Sequence, residues 1–165
     1  MGAMRNHIIV CITSLLLGGC VSIQLPGGKS KPAKDVVWTA PNSNFKELKD
    51  GVYDKAWISS KTGNTISYLS DCGSSAEPTL QQLETESLSS LNDLKLTVND
   101  DITFNGRAAR SSTASGTLDG VPVRVSLLVF KKNGCNYTLS YGGLEKQFAS
   151  EERDFEDFKH NFKAP

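Results

Sequence analysis

Few side chains in this 165-residue sequence are suited to catalysis. Its two histidines are His7, inside an apolar leader, and His160, near the C-terminus. A lone histidine on an amphipathic helix is typical of a solvent-facing position, and no nucleophile elbow, His-Glu-x-x-His pair or complete phosphate loop accompanies it. The carboxylate pairs Asp100-Asp101 and Glu151-Glu152 are predicted to be solvated, because neighbours in sequence rarely face one cleft. We therefore predict no catalytic residues and no enzymatic activity.

The cysteine at position 20 indicates chemistry of another kind. Arg5 precedes an apolar run over residues 8–17, and two glycines separate this run from Cys20. The run is about half the roughly 20 residues that a helix needs to cross the hydrocarbon core of a bilayer. A basic start, a short apolar centre and small residues before a cleavage site are typical of a secretory signal.

The stretch LGGC, residues 17–20, resembles the lipobox of bacterial lipoproteins. The resemblance implies that the Cys20 thiol receives a diacylglyceryl group, that a signal peptidase removes residues 1–19, and that the new amino group gains an acyl chain such as palmitate. Such chains hold a protein firmly, because each buried methylene contributes ~0.8 kcal/mol. Val21 follows the cysteine, which in enterobacterial lipoproteins implies the outer membrane, facing the periplasm. The alternative is a plain secreted protein with a chance cysteine.

Residues 20–34 are predicted to form a lipidated tether, and residues 35–165 a single globular domain. The tether sequence contains Gly27-Gly28, two prolines and three lysines, and it has no periodicity. A flexible chain of this length spans on the order of 20 Å, so the domain is expected close to the bilayer. Its lysines either contact anionic headgroups or belong to a solvated spacer.

Two cysteines, Cys72 and Cys135, lie in the predicted domain. A disulfide between them is the expected pairing in an oxidising compartment, and it closes a loop worth about 4 kcal/mol in the chain-entropy model. A metal site is the rival interpretation, but two isolated cysteines without nearby histidines supply too few ligands. We predict no cofactor and no metal. Lys+Arg and Asp+Glu are equal at 18 each, so no nucleic-acid partner is expected.

The pattern of turns and apolar residues predicts an α+β domain with an antiparallel sheet. Asp119-Gly120 and Asn133-Gly134 are strong hairpin signals because a type I′ turn needs positive φ at both central residues. Apolar spacings of three and four predict a helix over 78–92. The expected strands are 36–38, 55–60, 64–70, 95–104, 107–118, 121–132 and 135–141.

A C-terminal helix is predicted from four phenylalanines spaced seven, three and four residues apart, and their stripe should cover one face of the sheet. These residues are Phe148, Phe155, Phe158 and Phe162. Four other aromatic residues are expected in the core, although lining a pocket is the open alternative for Trp38, Trp57, Tyr68 and Tyr141.

The whole domain resembles the Mog1/PsbP-like group. Four segments carry the resemblance: VVWTAPNSNF (36–45), PTLQQLETESLSSL (78–91), the meander over 104–141 with Gly106-Arg107-Ala108 at a strand start, and FEDFKHNF (155–162). The resemblance implies an α/β/α sandwich around an antiparallel sheet. Members include a nuclear-transport factor that binds a small GTPase, a photosystem subunit and bacterial envelope lipoproteins, which share protein binding and no common chemistry.

These observations lead to one functional hypothesis with an alternative. The expected protein is a membrane-anchored envelope lipoprotein whose domain binds an envelope protein, and Arg107 and Arg110 either recognise an acidic partner or are ordinary strand-surface charges. The alternative is a carrier of a small molecule or lipid in a cleft between sheet and helix. A closed apolar cavity favours the carrier, an exposed apolar patch favours the interaction role, and a cleft joining His160 to two carboxylates favours an enzyme.

Overall fold

The computed structural model describes residues 31–73 and 77–165. The predicted signal peptide and Cys20 therefore lie outside the described residues. Two residues of the predicted tether contact the domain: Lys31 forms an antiparallel bridge with Cys72, and the backbone N–H of Ala33 donates to Ser70 Oγ at 2.7 Å.

Seven antiparallel strands form one open sheet in the order β1-β2-β3-β7-β6-β5-β4. Ten elements follow one another along the chain: β1 (Phe45–Leu48), β2 (Lys55–Ser59), β3 (Thr65–Cys72), α1 (Leu80–Leu88), β4 (Asn92–Phe104), β5 (Arg107–Leu118), β6 (Val121–Lys132), β7 (Cys135–Leu144), α2 (Glu145–Phe148) and α3 (Glu152–Asn161). The α1 helix packs on one face of the sheet, and α2 and α3 pack on the other. The predicted α+β architecture, with helices on both faces of an antiparallel sheet, is thus confirmed.

The hairpins form where the turn residues predict them. β5, β6 and β7 are joined by Asp119-Gly120 and Asn133-Gly134, and all four turn residues have positive φ. A third turn of the same kind, Asn105-Gly106, joins β4 to β5. Two-residue turns of this geometry match the twist of the flanking strands, which fixes the register of the meander.

The larger part of the core lies on the α3 face. All four phenylalanines of the predicted stripe are buried there against sheet residues that include Trp57, Tyr68 and Tyr137. Several rings meet edge to face, with centroids 5.1 Å apart for Tyr68 and Phe162 and 5.5 Å apart for Trp57 and Phe158. Such pairs add about 0.5–1.5 kcal/mol each to the burial of their apolar area.

Several predicted elements need correction. Residues 36–38 form no strand; Val37 makes a single bridge to Lys163, and the first strand is β1, which the sequence analysis missed. The stripe of phenylalanines is split, because Phe148 ends the short helix α2 while Phe155 and Phe158 belong to α3. The helix predicted over 78–92 spans only Leu80–Leu88.

The predicted disulfide between Cys72 and Cys135 is present. The two cysteines are direct cross-strand partners at the ends of β3 and β7. The bond therefore closes the junction of two central strands, at the same place where Lys31 joins the domain.

Candidate functional site

The α1 face carries an open cleft of about 410 Å³ between the helix and the loop that links β1 to β2. Its floor is formed by β3, β7 and β6, and its two walls are formed by α1 and by Val52 and Tyr53 of the loop. The lining is mixed: apolar side chains dominate the walls, whereas short polar side chains cover much of the floor.

The floor is polar because every second residue of β3 and β7 points into the cleft, and most of these residues are serine, threonine, asparagine or aspartate. Ser67 and Ser140 are cross-strand partners, and their hydroxyls are hydrogen-bonded at 2.6 Å. At the disulfide end, Asn136 is 8 % exposed, and its side-chain amide makes no hydrogen bond within residues 31–73 and 77–165. Beside it, no donor among the described residues reaches the buried Oδ1 of Asp71. The polar side chains of Asn136 and Asp71 therefore line the disulfide end of the floor.

The α1 wall is positioned by a cap and by an ion pair. Thr79 and Gln82 form a capping box that begins the helix, with hydrogen bonds of 3.1 and 2.8 Å. Glu84 is buried on the sheet side, where it accepts hydrogen bonds from Arg110 Nε at 2.7 Å and from Ser112 Oγ. These contacts fix the helix over β5 and leave Leu83 to face the cleft.

The loop wall is positioned by Asp54 and by a glycine. The Asp54 carboxylate accepts hydrogen bonds from the N–H and the hydroxyl of Ser70, and burial raises the pKa of this carboxyl. The ring of Tyr53 folds over Gly51, so that a Cβ at Gly51 would lie only 2.1 Å from Tyr53 Cε1. A side chain at position 51 therefore forces the ring, and with it the wall, to move.

An apolar strip continues the cleft along the same face of the sheet. Leu118 and Val121 are partners across β5 and β6, and Val123 and Leu144 are partners across β6 and β7. Val123 is two residues from Val125, which lines the cleft, so the strip and the cleft are contiguous. Leu118, Val121 and Leu144 are 42–48 % exposed.

A second, shallower depression of about 430 Å³ lies on the α3 face beside β4. Ile102, Phe104 and Leu128 line it from the sheet, and Glu156, Asp157, Lys159 and His160 line it from α3. This is the one place where the described residues bring His160 near carboxylates. No hydrogen bond or ion pair joins His160 to them in the described part of the chain, and Glu156 is paired with Lys159 at 2.7 Å. The arrangement lacks the contacts of a catalytic acid–base pair.

Other residues considered for a site have structural partners. Arg110, offered as a surface charge or a partner contact, bridges Glu84 and Asp101. Trp57, Tyr68 and Tyr141 are core residues, as expected, and Trp38 packs against that core.

The prediction that Glu151 is solvated is wrong. Glu151 is 5 % exposed and accepts hydrogen bonds from Ser59 at 2.7 Å, Thr62 and Asn64. The helix pattern did not show this because the partners of Glu151 lie more than 85 residues away.

The cleft itself was missed by sequence reasoning, apart from the general expectation of a space between sheet and helix. The alternation of polar and apolar residues from Thr65 to Tyr68 in β3 was visible, but the loop wall depends on tertiary contacts of Asp54. Within the described ranges, no three histidine, cysteine, aspartate or glutamate residues are grouped so that they could bind a metal ion. No helix in this part of the chain is both long and apolar enough to cross a bilayer.

Comparisons with known proteins establish the fold and go no further. No family model and no curated protein sequence matches the chain. Among solved structures, LpqN, involved in cell envelope biogenesis of Mycobacterium tuberculosis, superposes with a TM-score of 0.61 at 14 % identity, covering 85 % of this chain and 88 % of that one. Cyanobacterial PsbP from Synechocystis sp. PCC 6803 superposes with a TM-score of 0.55 at 12 % identity, covering 90 % and 99 %. The chain therefore has the fold of the PsbP-like proteins.

Proposed function

We propose that this protein is a lipid-anchored envelope lipoprotein whose domain is a non-enzymatic binding module for another envelope protein. The binding surface is the cleft together with the apolar strip. One observation carries the proposal: the cleft opens without interruption onto exposed leucine and valine side chains. Contiguous exposed apolar surface is typical of interaction sites, because isolated soluble domains rarely keep it uncovered.

The polarity of the cleft suits a polypeptide segment. Peptide groups need both donors and acceptors, and the floor is lined by the Asn136 amide, the Thr138 hydroxyl and the Asp71 carboxylate. The side chains of such a segment need apolar surroundings, which Leu83, Val125 and the strip provide. A partner that inserts an extended segment into the cleft and rests its neighbouring surface on the strip would cover both features.

Affinity capture with paired variants tests this function. Detergent-solubilised envelope is passed over the tagged full-length chain, over Val121→Asp/Leu144→Asp, and over Val37→Asp. Val37 is 59 % exposed and lies outside the strip, so its variant controls for replacing surface valine by a charge. We expect one protein to be retained by the wild type and by Val37→Asp and to be lost with the strip variant. Equal retention by all three proteins would refute the assignment of the strip.

A second candidate function is a carrier of a small molecule or lipid. It is favoured by the volume of the cleft, about 410 Å³, which lies within the usual range of small-molecule sites. Native mass spectrometry of the protein purified from its own envelope distinguishes the two. A stoichiometric adduct of a few hundred daltons that is lost in Leu83→Trp, a substitution that fills the cleft, would support the carrier and contradict the interaction role.

The anchor is proposed from the sequence alone. Cleavage before Cys20 and acylation of its thiol would place the domain at the membrane surface, because the tether joins the domain directly at Lys31. An outer-membrane location facing the periplasm is proposed from Val21. Cys20→Ala should leave an uncut precursor or release the protein from membranes. Unchanged fractionation, with no incorporation of a clickable palmitate into the wild type, would refute the anchor.

A further inference from the structure

The outer edge of β4 has the features of a strand-docking surface. β4 is the terminal strand of the sheet, and every residue from Asn92 to Thr103 is exposed. Edge strands in natural proteins are commonly short or protected, because their unpaired backbone groups recruit other strands. The register of the pairing between β4 and β5 shifts twice, between Asn92 and Lys95 and between Leu96 and Val98. The regularly paired part of the edge is therefore 98–104.

The turn geometry identifies which backbone groups face outward. Phe104 and Arg107 flank the two-residue turn Asn105-Gly106 and are its hydrogen-bonded pair. Hydrogen-bonded and non-hydrogen-bonded pairs alternate along an antiparallel ladder. The N–H and C=O groups of Thr103, Asp101 and Asn99 therefore point away from β5. These three residues present the donors and acceptors that an added strand needs.

The α3 face beside this edge offers a place for side chains of the added strand. Ile102 and Phe104 point to that face, where they line the depression described above together with Leu128. A strand paired outside β4 directs every second side chain to this face, next to Ile102. An apolar side chain there would cover Ile102, which is 40 % exposed.

The charged side chains around the edge indicate the sign of the charge that a partner strand would carry. Asp100 points to the α3 face, and Asp157 lines the depression; in the described part of the chain neither makes an ion pair. The nearby Lys159 is already paired with Glu156. A partner strand with basic side chains at this face meets Asp100 and Asp157, whereas Arg107, the cross-strand partner of Phe104, lies at the turn end of the same face.

We propose that residues 98–104 of β4 bind an extended segment of another protein in which apolar and basic residues share one face, by addition of a strand to the sheet. Main-chain hydrogen bonds supply the affinity of such complexes, and alternate side chains supply the specificity. A second copy of this chain fits less well. Antiparallel self-pairing of the regular stretch, centred on Asp101, places Asp100 of one copy opposite Ile102 of the other, so it brings a further carboxylate to the α3 face and no basic side chain.

Fluorescence anisotropy with designed peptides tests this inference, which is independent of the cleft. The probe is a fluorescein-labelled peptide with valine and lysine alternating on one face, and the control peptide has glutamate in place of lysine. The full-length protein should bind the lysine probe saturably and the glutamate control at least about tenfold more weakly. Asp100→Asn/Asp157→Asn should remove most of this difference. Equal binding of the two peptides, or no saturable binding, would overturn the proposal.

Substitution at Thr103 tests the backbone pairing. Thr103→Pro removes one outward N–H while leaving the bonds to β5 intact, which proline permits on an edge strand. Thr103→Val keeps the N–H and is the matched control. Thr103→Pro should weaken probe binding at least about tenfold, and Thr103→Val should bind as the wild type does. Equal binding by both variants would show that the probe does not pair with the edge.

Amide hydrogen exchange keeps the test decisive if Thr103→Pro does not fold. In the wild type, the lysine probe should slow exchange at Asn99, Asp101 and Thr103, and it should leave the inward amides of Asp100 and Ile102 unchanged. Protection confined to the cleft, or none, would contradict the proposal. If the protein sediments as a dimer, and exchange at the same three amides is already slow without any peptide, the edge binds a second copy of this chain. That result would also overturn the proposal.

Discussion

At the scale of single residues, carboxylates that are buried (Glu84 and Glu151) or half-buried (Asp54) decide how the elements are placed. Glu84, Glu151 and Asp54 each accept hydrogen bonds from residues distant in sequence, and each fixes a helix or a loop to the sheet. A buried carboxylate is tolerated only when such partners replace its water. These three groups therefore hold the walls of the cleft and the α3 face in position.

Glu84→Ala should lower the free energy of unfolding by about 3 kcal/mol, because it leaves the partly buried Arg110 guanidinium without its main partner. The matched control is Asp101→Ala. Asp101 contacts the same guanidinium, but its side chain is 80 % exposed, so its loss should cost under about 1 kcal/mol. Urea denaturation of both variants measures the difference, and equal losses would show that the buried pair does not fix α1.

Three tyrosines should lose their phenolic protons only at a pH above that of a free tyrosine. Burial raises the pKa of Tyr68 and Tyr141 to about 12, with further contributions from Asp54 and Glu151 respectively, and burial also raises that of Tyr137. Because the folded values exceed the unfolded value of about 10, the neutral phenols contribute stability fully below pH ~10 and lose it as the pH rises towards 12. Tyrosinate absorbance should follow unfolding in this range. Ionisation of all tyrosines near pH 10 in the folded protein would contradict the burial.

At the scale of elements, local signals predicted the meander well and the ends of the chain less well. Asp119-Gly120 and Asn133-Gly134 fix β5, β6 and β7, because two-residue turns constrain both flanking strands. β1 was missed because its four residues, Phe-Lys-Glu-Leu, are too few to show a clear alternation of apolar and polar side chains. The split between α2 and α3 was missed because Phe148 satisfies the helical spacing while lying on a separate element. The cleft was missed because its walls depend on contacts between separate elements, such as that of Asp54 with Ser70.

Phe158→Ala should cost about 3–5 kcal/mol in urea denaturation. Phe158 is 2 % exposed and packs between Trp57 and Tyr68, so truncation leaves a cavity that the sheet cannot fill. Val37→Ala, at an exposed position, is the control and should change stability by under about 1 kcal/mol. A similarly small loss for Phe158→Ala would mean that α3 does not cover the sheet as described.

Reduction of the disulfide should lower the melting temperature by several degrees. The bond joins β3 to β7 and closes a separation of 63 residues, for which the chain-entropy model gives about 4 kcal/mol before native strain. Differential scanning calorimetry with and without reductant measures the change, and Cys72→Ser/Cys135→Ser should reproduce it. An unchanged melt, with both thiols labelled in the native protein, would show that the bond does not form.

At the scale of the whole molecule, the two faces of one sheet are used differently. The α3 face buries the aromatic core, whereas the α1 face is only partly covered and leaves the cleft and the strip open. The disulfide end of the cleft lies beside Lys31, where the predicted tether enters the domain. The strip lies at the opposite end of β6 from the disulfide.

The proposed binding of a partner protein by the cleft and the apolar strip is tested most directly by photo-crosslinking in intact cells. A photoreactive amino acid is placed at Val121, at Leu144 or at the control position Val37. We predict one discrete protein adduct from both strip positions, identified by mass spectrometry as the same partner, and none from Val37. An absence of protein adducts at the strip, or the same adducts from Val37, would contradict the claim.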